Sequence, residues 1–326
     1  MSRVLNNVMS KKELQLKDVE GIGPAAVKKL KDAGITTVEN LATQNIESLT
    51  TDVGISKDLA IKYIQNAHKL MRSDGSLGPE FIDGNQALRK RESIQKITTG
   101  SSKLDGFLYG GIETGAITEL YGEFGSGKSQ ICHVMAINVQ KLPIQGNCIY
   151  VDAEGTFRPE RIKQICEEQG LNESDVLANV KLCRVYNSGH LEEVIKTLPK
   201  YIEEWNVKLI VVDSVIALHR ADYLGRGTLA DRQQKIQEIM HKLLRMAEIY
   251  NLAVIITNQV ITAPDTFFGD PTKPTGGNII GHSATYRIYL RKSGVNRLVK
   301  MIDSPYHDSV DVKIRITANG IEDAEV

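Results

Sequence analysis

The stretch Gly122-Glu-Phe-Gly-Ser-Gly-Lys128-Ser129 decides the fold. It matches GxxxxGK[ST], in which glycines let backbone N–H groups converge on phosphates, the lysine reaches the β- and γ-phosphates and the hydroxyl holds Mg²⁺. An apolar run, Ala116 to Tyr121, precedes it, and a helical pattern from about Ser129 to Gln140 follows. This order predicts an ATP and Mg²⁺ site, because the helix N-terminus adds positive charge beside the phosphates. The alternative interpretation is a glycine-rich turn with a solvated lysine.

Further apolar runs of strand length lie on the C-terminal side of this loop, with helical patterns between them. They are Cys148 to Val151, Leu209 to Val212 and Ala253 to Thr257. Runs without alternation are typical of strands buried on both faces, and intervening helices indicate parallel crossovers. Short alternating runs follow Ser283 and predict antiparallel strands that finish the sheet. The region from about residue 95 onward is therefore predicted to be an α/β domain.

Polar residues stand at or just after the ends of these three runs. Asp213 comes directly after the middle run, where its carboxylate can hold the Mg²⁺ shell. Glu154 follows the first run and can orient the water that attacks the γ-phosphate, but Asp152 competes with it for this role. Gln259 follows the last run and can sense the γ-phosphate; alternatively it is a loop amide bonded to the backbone.

A segment rich in turn residues follows Gln259. Val260 to Gly281 holds four glycines and three prolines, which is more than a regular element tolerates. We therefore predict an irregular loop, and a loop of this length inside a compact domain is usually functional or disordered.

The N-terminal part of the chain has a different character. Its first 70 or so residues predict short helices separated by glycine turns, with a weak internal repeat between the stretches that begin at Asp18 and Thr51. Met71 to Pro79 has the Gly, Ser, Asp and Pro content of a linker. We predict a helical domain over 1–74, a linker over 75–95 and an ATPase core over 96–326.

Composition excludes several classes of protein. The 326 residues are 41% hydrophobic and 25% charged, enough for a real core, and 40 Lys+Arg balance 40 Asp+Glu. A net charge of zero supplies no global field for DNA or membrane, so any nucleic-acid site must be local. No apolar run of membrane length and no signal peptide are seen, which favours the cell interior. The four cysteines show no metal-ligand spacing and are predicted to be reduced thiols.

Several strings together resemble the RadA family of archaeal DNA recombinases, which belongs to the RecA class. Besides the phosphate loop they are Thr99-Gly-Ser-Ser-Lys-Leu-Asp-Gly106, Gly110-Gly-Ile-Glu-Thr-Gly115, Glu154-Gly-Thr-Phe-Arg-Pro-Glu-Arg161, Tyr223-Leu-Gly-Arg-Gly-Thr-Leu-Ala-Asp-Arg232 and Gly276-Gly-Asn-Ile-Ile-Gly-His282. The resemblance implies a RecA-like P-loop ATPase core with a mostly parallel sheet and an N-terminal helix-hairpin-helix domain. It implies a DNA-dependent ATPase that forms helical filaments on single-stranded DNA and catalyses homologous pairing and strand exchange in repair and recombination.

The resemblance also assigns site residues. It favours Glu154 over Asp152 as the catalytic glutamate beside Lys128 and Gln259, and places Arg161 against the adenine. The implied nucleotide-binding set is Gly122, Glu123, Phe124, Gly125, Ser126, Gly127, Lys128, Ser129, Gln130 and Arg161, with Ser129 and Asp213 on Mg²⁺. The implied DNA contacts are Arg220, Arg226, Arg232 and the loop Val260 to Gly277. Without the resemblance, we would interpret these arginines as a solvated helix cap and as members of surface ion pairs.

Two further segments are implied to contact a neighbouring copy of the chain. Phe81 and Gly84 resemble a polymerisation motif, with glycine where alanine is commoner. Asp303 and Pro305 resemble the segment that caps a neighbour's ATP, and Asp303 aligns with a carboxylate that holds a monovalent cation such as K⁺. The sequence departs from the family at Asp308, where a second proline is usual. The resemblance therefore does not decide whether this segment contacts the adenine.

The implied partners are single-stranded DNA, homologous duplex DNA, further copies of the chain in a filament or ring, and recombination mediator proteins, in the cytoplasm at the nucleoid. In the small domain, the Gly21-Ile22-Gly23 turn resembles a helix-hairpin-helix that takes a duplex phosphate, with protein docking as the alternative. Two competing functions remain: a recombination mediator or paralogue that exchanges no strands, and a RecA-fold helicase or signalling ATPase.

Overall fold

The computed structural model describes residues 14–74, 81–143, 145–223, 225–262, 272–276 and 278–324. Backbone contacts divide the chain into two units, Met1–Ala87 and Leu88–Val326. The division falls inside the predicted linker, and a helix occupies part of that linker. The domain bounds given above stay a prediction.

The N-terminal unit is a small all-α bundle. Its helices are α1 (Pro24–Asp32), α2 (Val38–Ala42), α3 (Ile46–Thr51) and α4 (Lys57–Asp74), preceded by a 3₁₀ turn at Leu16–Asp18. The side chain of Thr37 accepts a hydrogen bond from the Asn40 N–H and starts α2, and Asn45 does the same for α3 at Ser48. Leu30, Leu41 and Leu49 are fully buried at its centre.

Helix α5 (Gly84–Arg91) follows the undescribed residues 75–80 and crosses the division between the units. Its start is fixed by Asp83, whose side chain accepts the Gln86 N–H at 2.8 Å while the Gln86 side chain accepts the Asp83 N–H. None of its residues is buried.

The core unit alternates strands and helices, as the sequence predicts. Its helices are α6 (Ser102–Phe107), α7 (Lys128–Asn138), α8 (Pro159–Gln169), α9 (Glu173–Ala178), α10 (Ser188–Thr197), α11 (Pro199–Glu204), α12 (Ala217–Asp222), α13 (Leu229–Tyr250) and α14 (Asn278–Ser283). Its strands are β1 (Lys96–Ile97), β2 (Ile112–Glu113), β3 (Ala116–Gly122), β4 (Asn147–Asp152), β5 (Val180–Arg184), β6 (Val207–Asp213), β7 (Ala253–Asn258), β8 (Val260–Thr262), β9 (Thr272–Pro274), β10 (Tyr286–Ser293), β11 (Asn296–Asp303), β12 (Asp311–Thr317) and β13 (Gly320–Asp323).

Over the described residues, nine strands form one sheet in the order β13-β12-β11-β10-β3-β7-β6-β4-β5. The six from β10 to β5 run parallel, and β11 to β13 are added antiparallel at one edge. This confirms a mostly parallel sheet with an antiparallel end. Because parallel strands share one carboxyl edge, the residues that follow β3, β4, β6 and β7 come together there.

Two apolar layers cover the sheet, and the helix after the phosphate loop lies in one of them. Met135 and Ile137 of α7 pack in one layer, and Ile239 and Leu243 of α13 in the other. All the residues of β3 and β7 are buried, which explains why both strands are mainly apolar, although β3 also buries the polar residues Thr118 and Glu119. Burial on both faces makes the central strands a rigid platform for their carboxyl ends.

Two features differ from the expectations. Strand β5 was not predicted, because it lies at the sheet edge and its mixed residues, most of them only partly buried, form no apolar run. The prediction of an irregular loop over Val260 to Gly281 is wrong at both ends, where β8 pairs with β9 and α14 begins. Glycine and proline are uncommon in strands, so the composition of this segment did not predict the short hairpin. Residues 263–271 and 277 lie outside the described residues.

No helix in the described ranges combines the length and apolarity needed to cross a bilayer. All four cysteines belong to the described part of the chain and are free thiols; Cys132, Cys148 and Cys166 are buried, and Cys183 is half-buried. Burial raises the pKa of the Cys132 thiol, which keeps it protonated.

Candidate nucleotide-binding and catalytic site

The phosphate loop connects the buried strand β3 to helix α7, as its motif requires. A Cβ at Gly122 would lie 2.1 Å from the carbonyl oxygen of Leu290, so only glycine fits where the loop leaves the sheet. Gly127 has φ of 107° and precedes the first residue of α7. Both positions therefore call for glycine, one because of the close approach and the other because of its left-handed backbone. The buried hydroxyl of Ser126 has no hydrogen-bond partner among the described residues, while Phe124 is fully exposed.

Lys128 folds over this loop. Its ammonium donates to the carbonyl oxygens of Gly122 at 2.9 Å and Glu123 at 3.0 Å. Burial lowers the pKa of Lys128, and the nearby carboxylates of Glu154 and Asp213 counteract that effect. A cation held among loop carbonyls and facing two acids is placed to meet the charge of bound phosphates.

Asp213 lies at the carboxyl end of β6 and is buried. Its Oδ2 accepts the hydroxyls of Tyr150 at 2.8 Å and Thr156 at 3.1 Å, and its Oδ1 accepts that of Thr257 at 2.5 Å. In the described part of the chain this carboxylate forms no salt bridge. Buried charges are usually paired or bound to a cation, so an acid held by neutral hydroxyls fits a place beside a metal ion.

Ser129 and Asp213 together fit Mg²⁺. Over the described ranges, no group of three His, Cys, Asp or Glu side chains could hold a metal alone. Mg²⁺ commonly takes one or two carboxylates together with substrate phosphates and water, and the Ser129 hydroxyl adds a further hard oxygen. The donor set therefore suits a magnesium ion that arrives with its nucleotide.

Glu154 and Gln259 meet although they are far apart in sequence. The Gln259 amide donates to Glu154 Oε1 at 2.9 Å, joining the turn after β4 to the end of β7. Glu154 is only partly buried and faces the Lys128 ammonium, which it influences electrostatically. The two residues predicted to act at the γ-phosphate are thus in direct contact.

Asp152, the competitor of Glu154, is buried and its carboxylate is occupied. Its Oδ1 accepts the N–H groups of Gly155 at 2.7 Å and Thr156 at 3.1 Å, and its Oδ2 accepts that of Phe157 at 3.3 Å. These bonds fold the turn that carries Glu154. The geometry gives Asp152 a structural task and leaves Glu154 the accessible carboxylate.

Sequence reasoning missed His133, which joins α7 to the turn after β4. Its Nδ1 donates to the Ser129 carbonyl oxygen at 2.5 Å, and its Nε2 accepts the Arg158 N–H at 2.9 Å. The ring also stacks on Phe157 at 5.2 Å between centroids. Nothing in the sequence around His133 signals this contact, because Arg158 is 25 residues away.

We expect His133 to make stability depend on pH. Burial lowers the pKa of His133 below its ordinary value, and protonated Nε2 could no longer accept the Arg158 N–H. The unfolded chain therefore binds a proton at higher pH than the native protein, so the stabilising effect is complete above about pH 6.5 and is lost as pH falls. Urea unfolding from pH 8 to pH 5 should show a steeper loss of unfolding free energy in the native sequence than in His133→Asn. Replacing exposed His241 with asparagine should leave the slope unchanged; equal slopes in all three proteins would contradict the role of His133.

A buried polar network, also missed from sequence, closes the base of the β8–β9 hairpin. Thr275 donates its N–H and its hydroxyl to the Gln259 carbonyl oxygen, both at 2.8 Å. The Asn258 amide donates to the Thr275 carbonyl oxygen at 2.7 Å and to Glu119 Oε1 at 2.8 Å. Arg287 then pairs with Glu119 at 2.8 Å. Both ends of the hairpin segment are therefore fastened at Gln259 and Asn258.

The remaining predicted nucleotide and DNA residues are placed as follows. Arg161 donates to the side chain of Gln130 at 2.7 Å and to the Thr317 carbonyl oxygen at 2.6 Å, which fixes it beside the β12–β13 turn. Arg220 is exposed on α12, whereas Arg232 is half-buried on α13. The side chain of Arg226 and most of Val260 to Gly277 lie outside the described residues.

The predicted subunit-contact residues lie on the surface. Phe81 is 90% exposed, which is unusual for an aromatic side chain, and Gly84 opens α5. Asp303 and Pro305 are exposed at the end of β11 and just beyond it. Their roles stay predictions.

Two family profiles and one known protein match the sequence of this chain. A family profile described as Rad51 matches residues 90–324, and one described as a SAM-like helix-hairpin-helix tandem matches residues 13–68. The DNA repair and recombination protein RadA of Cenarchaeum symbiosum (strain A) is 43% identical over 322 residues, covering 97% of this chain and 81% of that protein. With its phosphate loop, its mostly parallel sheet and its N-terminal helical domain, the chain belongs to the Rad51 family.

Proposed function

We propose that this chain is a DNA-dependent ATPase that assembles on single-stranded DNA and catalyses homologous pairing and strand exchange in DNA repair and recombination. The observation that carries the proposal is the contact between Glu154 and Gln259 at the base of the β8–β9 hairpin. Gln259 directly precedes the segment predicted to contact DNA. The candidate water-orienting acid, Glu154, is therefore bonded to the residue next to that segment. Family membership and the recombination protein relative support the same function.

In this proposal the nucleotide site uses ATP and Mg²⁺, which together supply a polarised γ-phosphate. Lys128 and the loop amides bind and neutralise the phosphates, and Ser129 and Asp213 hold the ion. Glu154 orients the attacking water, since its carboxylate faces the lysine across the site. Arg161 offers a planar cation for the adenine.

Gln259 is the proposed link between hydrolysis and DNA. Its side chain bonds Glu154, while its carbonyl oxygen holds Thr275 at the return of the hairpin. If Gln259 changes its side-chain partner, the change therefore reaches both ends of the hairpin segment, which begins after Gln259 and is bonded back to it at Thr275. Loss of the γ-phosphate would in this way reach the DNA-contacting loop.

DNA contact is proposed to fall on Arg220, Arg226, Arg232 and the loop Val260 to Gly277, without a large basic face. The chain has zero net charge, so one copy offers little general attraction for DNA. Repetition of a few arginines along a filament raises affinity through multivalency. Contacts to phosphates suit a protein that must accept any sequence.

Self-association is proposed to use Phe81 as the anchor. Among the described strands, β5 has no neighbour on its outer side, and Leu182 and the nearby Tyr186 are 49% and 72% exposed. An extended segment bearing an aromatic anchor can add to such an edge. We also propose K⁺ at Asp303, mediator proteins as further partners, and a place in the cytoplasm at the nucleoid.

Replacing Phe81 with alanine should leave mainly single chains of 36.1 kDa in static light scattering with ATP. A buried aromatic anchor contributes about 2 kcal/mol or more to an interface, so each contact should weaken about thirtyfold. Val295→Ala, which shortens another exposed apolar side chain, is the matched control and should assemble normally. Filaments of unchanged length in the Phe81 variant would remove this residue from the interface.

The function itself is tested by strand exchange between a single strand and matched or unmatched duplex at one stated salt concentration, with and without ATP, in sodium and in potassium. We expect joint molecules only with matched duplex and ATP. DNA binding without exchange would favour the mediator interpretation, and ATP-driven unwinding without homology would favour a helicase.

A further inference from the structure

A buried carboxylate outside the nucleotide site collects donors from four separate parts of the core. Glu113, in the short strand β2, is 2% exposed. Its Oε2 accepts the Tyr286 hydroxyl at 2.6 Å and Arg91 at 3.0 Å. Its Oε1 accepts the Tyr306 hydroxyl and lies 3.3 Å from the Lys96 ammonium. We call these five residues the Glu113 cluster.

The charge state of Glu113 suits this role. Burial alone would raise the pKa of Glu113, but the hydroxyls of Tyr286 and Tyr306 and the charge of Arg91 outweigh it, so the pKa lies below its ordinary value. A carboxylate that stays ionised can accept all four donors at once. Two cations and two phenols exceed what charge neutralisation of one acid needs, so the cluster does more than compensate a buried charge.

One donor, Tyr306, holds the segment that follows β11. Within this segment Ser304 Oγ accepts the N–H groups of Tyr306 at 3.2 Å and His307 at 3.0 Å. Tyr109 stacks on His307 at 4.6 Å between ring centroids and donates its hydroxyl to Asp308 at 3.0 Å. The non-proline residue Asp308 thus has a partner inside its own chain. The segment 304–308 rests on this aromatic group and on Glu113.

Another donor, Arg91, is the last residue of α5. Its guanidinium reaches Glu113 and also lies 5.5 Å from the centroid of the Tyr306 ring. Residues 88–91 belong to the core unit, and the exposed Phe81 lies three residues before the first residue of α5. Glu113 is therefore the point at which the end of α5 and the segment 304–308 share one partner.

We propose that Glu113 is a positioning residue that fixes the end of helix α5 and the segment 304–308 to the same point, so that a second copy of this chain docked through Phe81 alters the placement of Tyr306, His307 and Asp308. The part that concerns docking rests on the proposed filament. The coupling between the two segments stands on the geometry alone. A change at one segment reaches the other because both segments are held by the same carboxylate, and the loss of one donor lets Glu113 move away from the other.

The coupling is tested by amide hydrogen exchange on the full chain without nucleotide or DNA, where assembly plays no part. The informative amides are those of Tyr306 and His307 in the segment and those of Glu92, Ser93 and Ile94, which bond back to the last residues of α5. Tyr306→Phe removes one donor from Glu113, and Arg91→Gln removes another. Tyr201→Phe is the matched control, since Tyr201 is partly buried on α11 and lies outside the cluster and outside the proposed sites.

We expect each variant to speed exchange about tenfold at its own segment and severalfold at the other, while the control matches the native sequence. If each substitution loosens only its own segment, or neither, the proposal is overturned. Glu113→Gln should loosen both segments together, and the two surface variants keep the test decisive if this one fails to fold.

A light-scattering arm separates this inference from the proposed function. With ATP, Tyr306→Phe should shorten assemblies severalfold although Phe81 is intact, whereas unchanged assembly alongside altered exchange would refute the effect of docking. A native chain that does not assemble at all would refute the proposed filament and with it the docking part, and the exchange results would still decide the coupling.

Discussion

Replacing Lys128 with alanine is expected to lower ATP hydrolysis about a thousandfold and to abolish strand exchange. The reason lies in the geometry of the loop, where the ammonium is the cation that faces both Glu154 and Asp213. A preorganised donor that meets developing charge in a dry site is typically worth a factor of about 10² to 10³, and this one also contributes to binding. Single-turnover hydrolysis at saturating ATP measures the chemical step, and a nucleotide-binding titration measures affinity.

Lys292→Ala is the matched control, because Lys292 is an exposed lysine of β10. It should hydrolyse ATP at the native rate. If the Lys128 variant kept both hydrolysis and exchange at normal rates, the assignment of this loop as the nucleotide site would be wrong.

Glu154→Gln is expected to lower the maximal rate of ATP hydrolysis about a hundredfold while leaving ATP affinity within a few fold. Glutamine keeps the size of the side chain and an acceptor for Gln259, but it cannot take a proton from water. Assemblies formed with ATP should therefore persist longer. Hydrolysis and disassembly are measured in parallel on the same preparation.

Asp152→Asn separates the two candidate acids. Asp152 accepts three backbone N–H groups, so its replacement should lower the melting temperature and affect hydrolysis and nucleotide binding together. Glu160→Gln, an exposed change on α8, should alter neither. A selective loss of the maximal rate in the Asp152 variant, with normal stability and a fast Glu154 variant, would reverse the assignment.

Local patterns predicted the central strands and the phosphate loop, and the reason is physical. Strands buried on both faces leave unbroken apolar runs, and the loop motif is contiguous in sequence. Asp213 was placed by the same logic, because a polar residue directly after such a run must lie at the sheet's carboxyl edge. The nearness of Glu154 and Gln259 followed from that edge as well, although their hydrogen bond did not.

The elements that sequence reasoning missed depend on distant partners. Thr275 bonds residues 16 and 17 positions away, and Tyr306 reaches Glu113 across 193 positions. No local periodicity records such pairs. The edge strand β5 was missed for a different reason, because its residues are mostly only partly buried and include two charged side chains.

The closure of the hairpin at Gln259 has an evolutionary consequence. The segment departs from this residue, and Thr275 bonds back to its carbonyl oxygen, so the two ends of this segment, which we call the appendage, share one fixed base. The free energy of closing a flexible loop grows only logarithmically with its length. Insertions, deletions and exchanges of residues within the appendage can therefore accumulate at little cost to the sheet. In related proteins, the nucleotide site and the segment predicted to contact DNA can therefore change independently of each other.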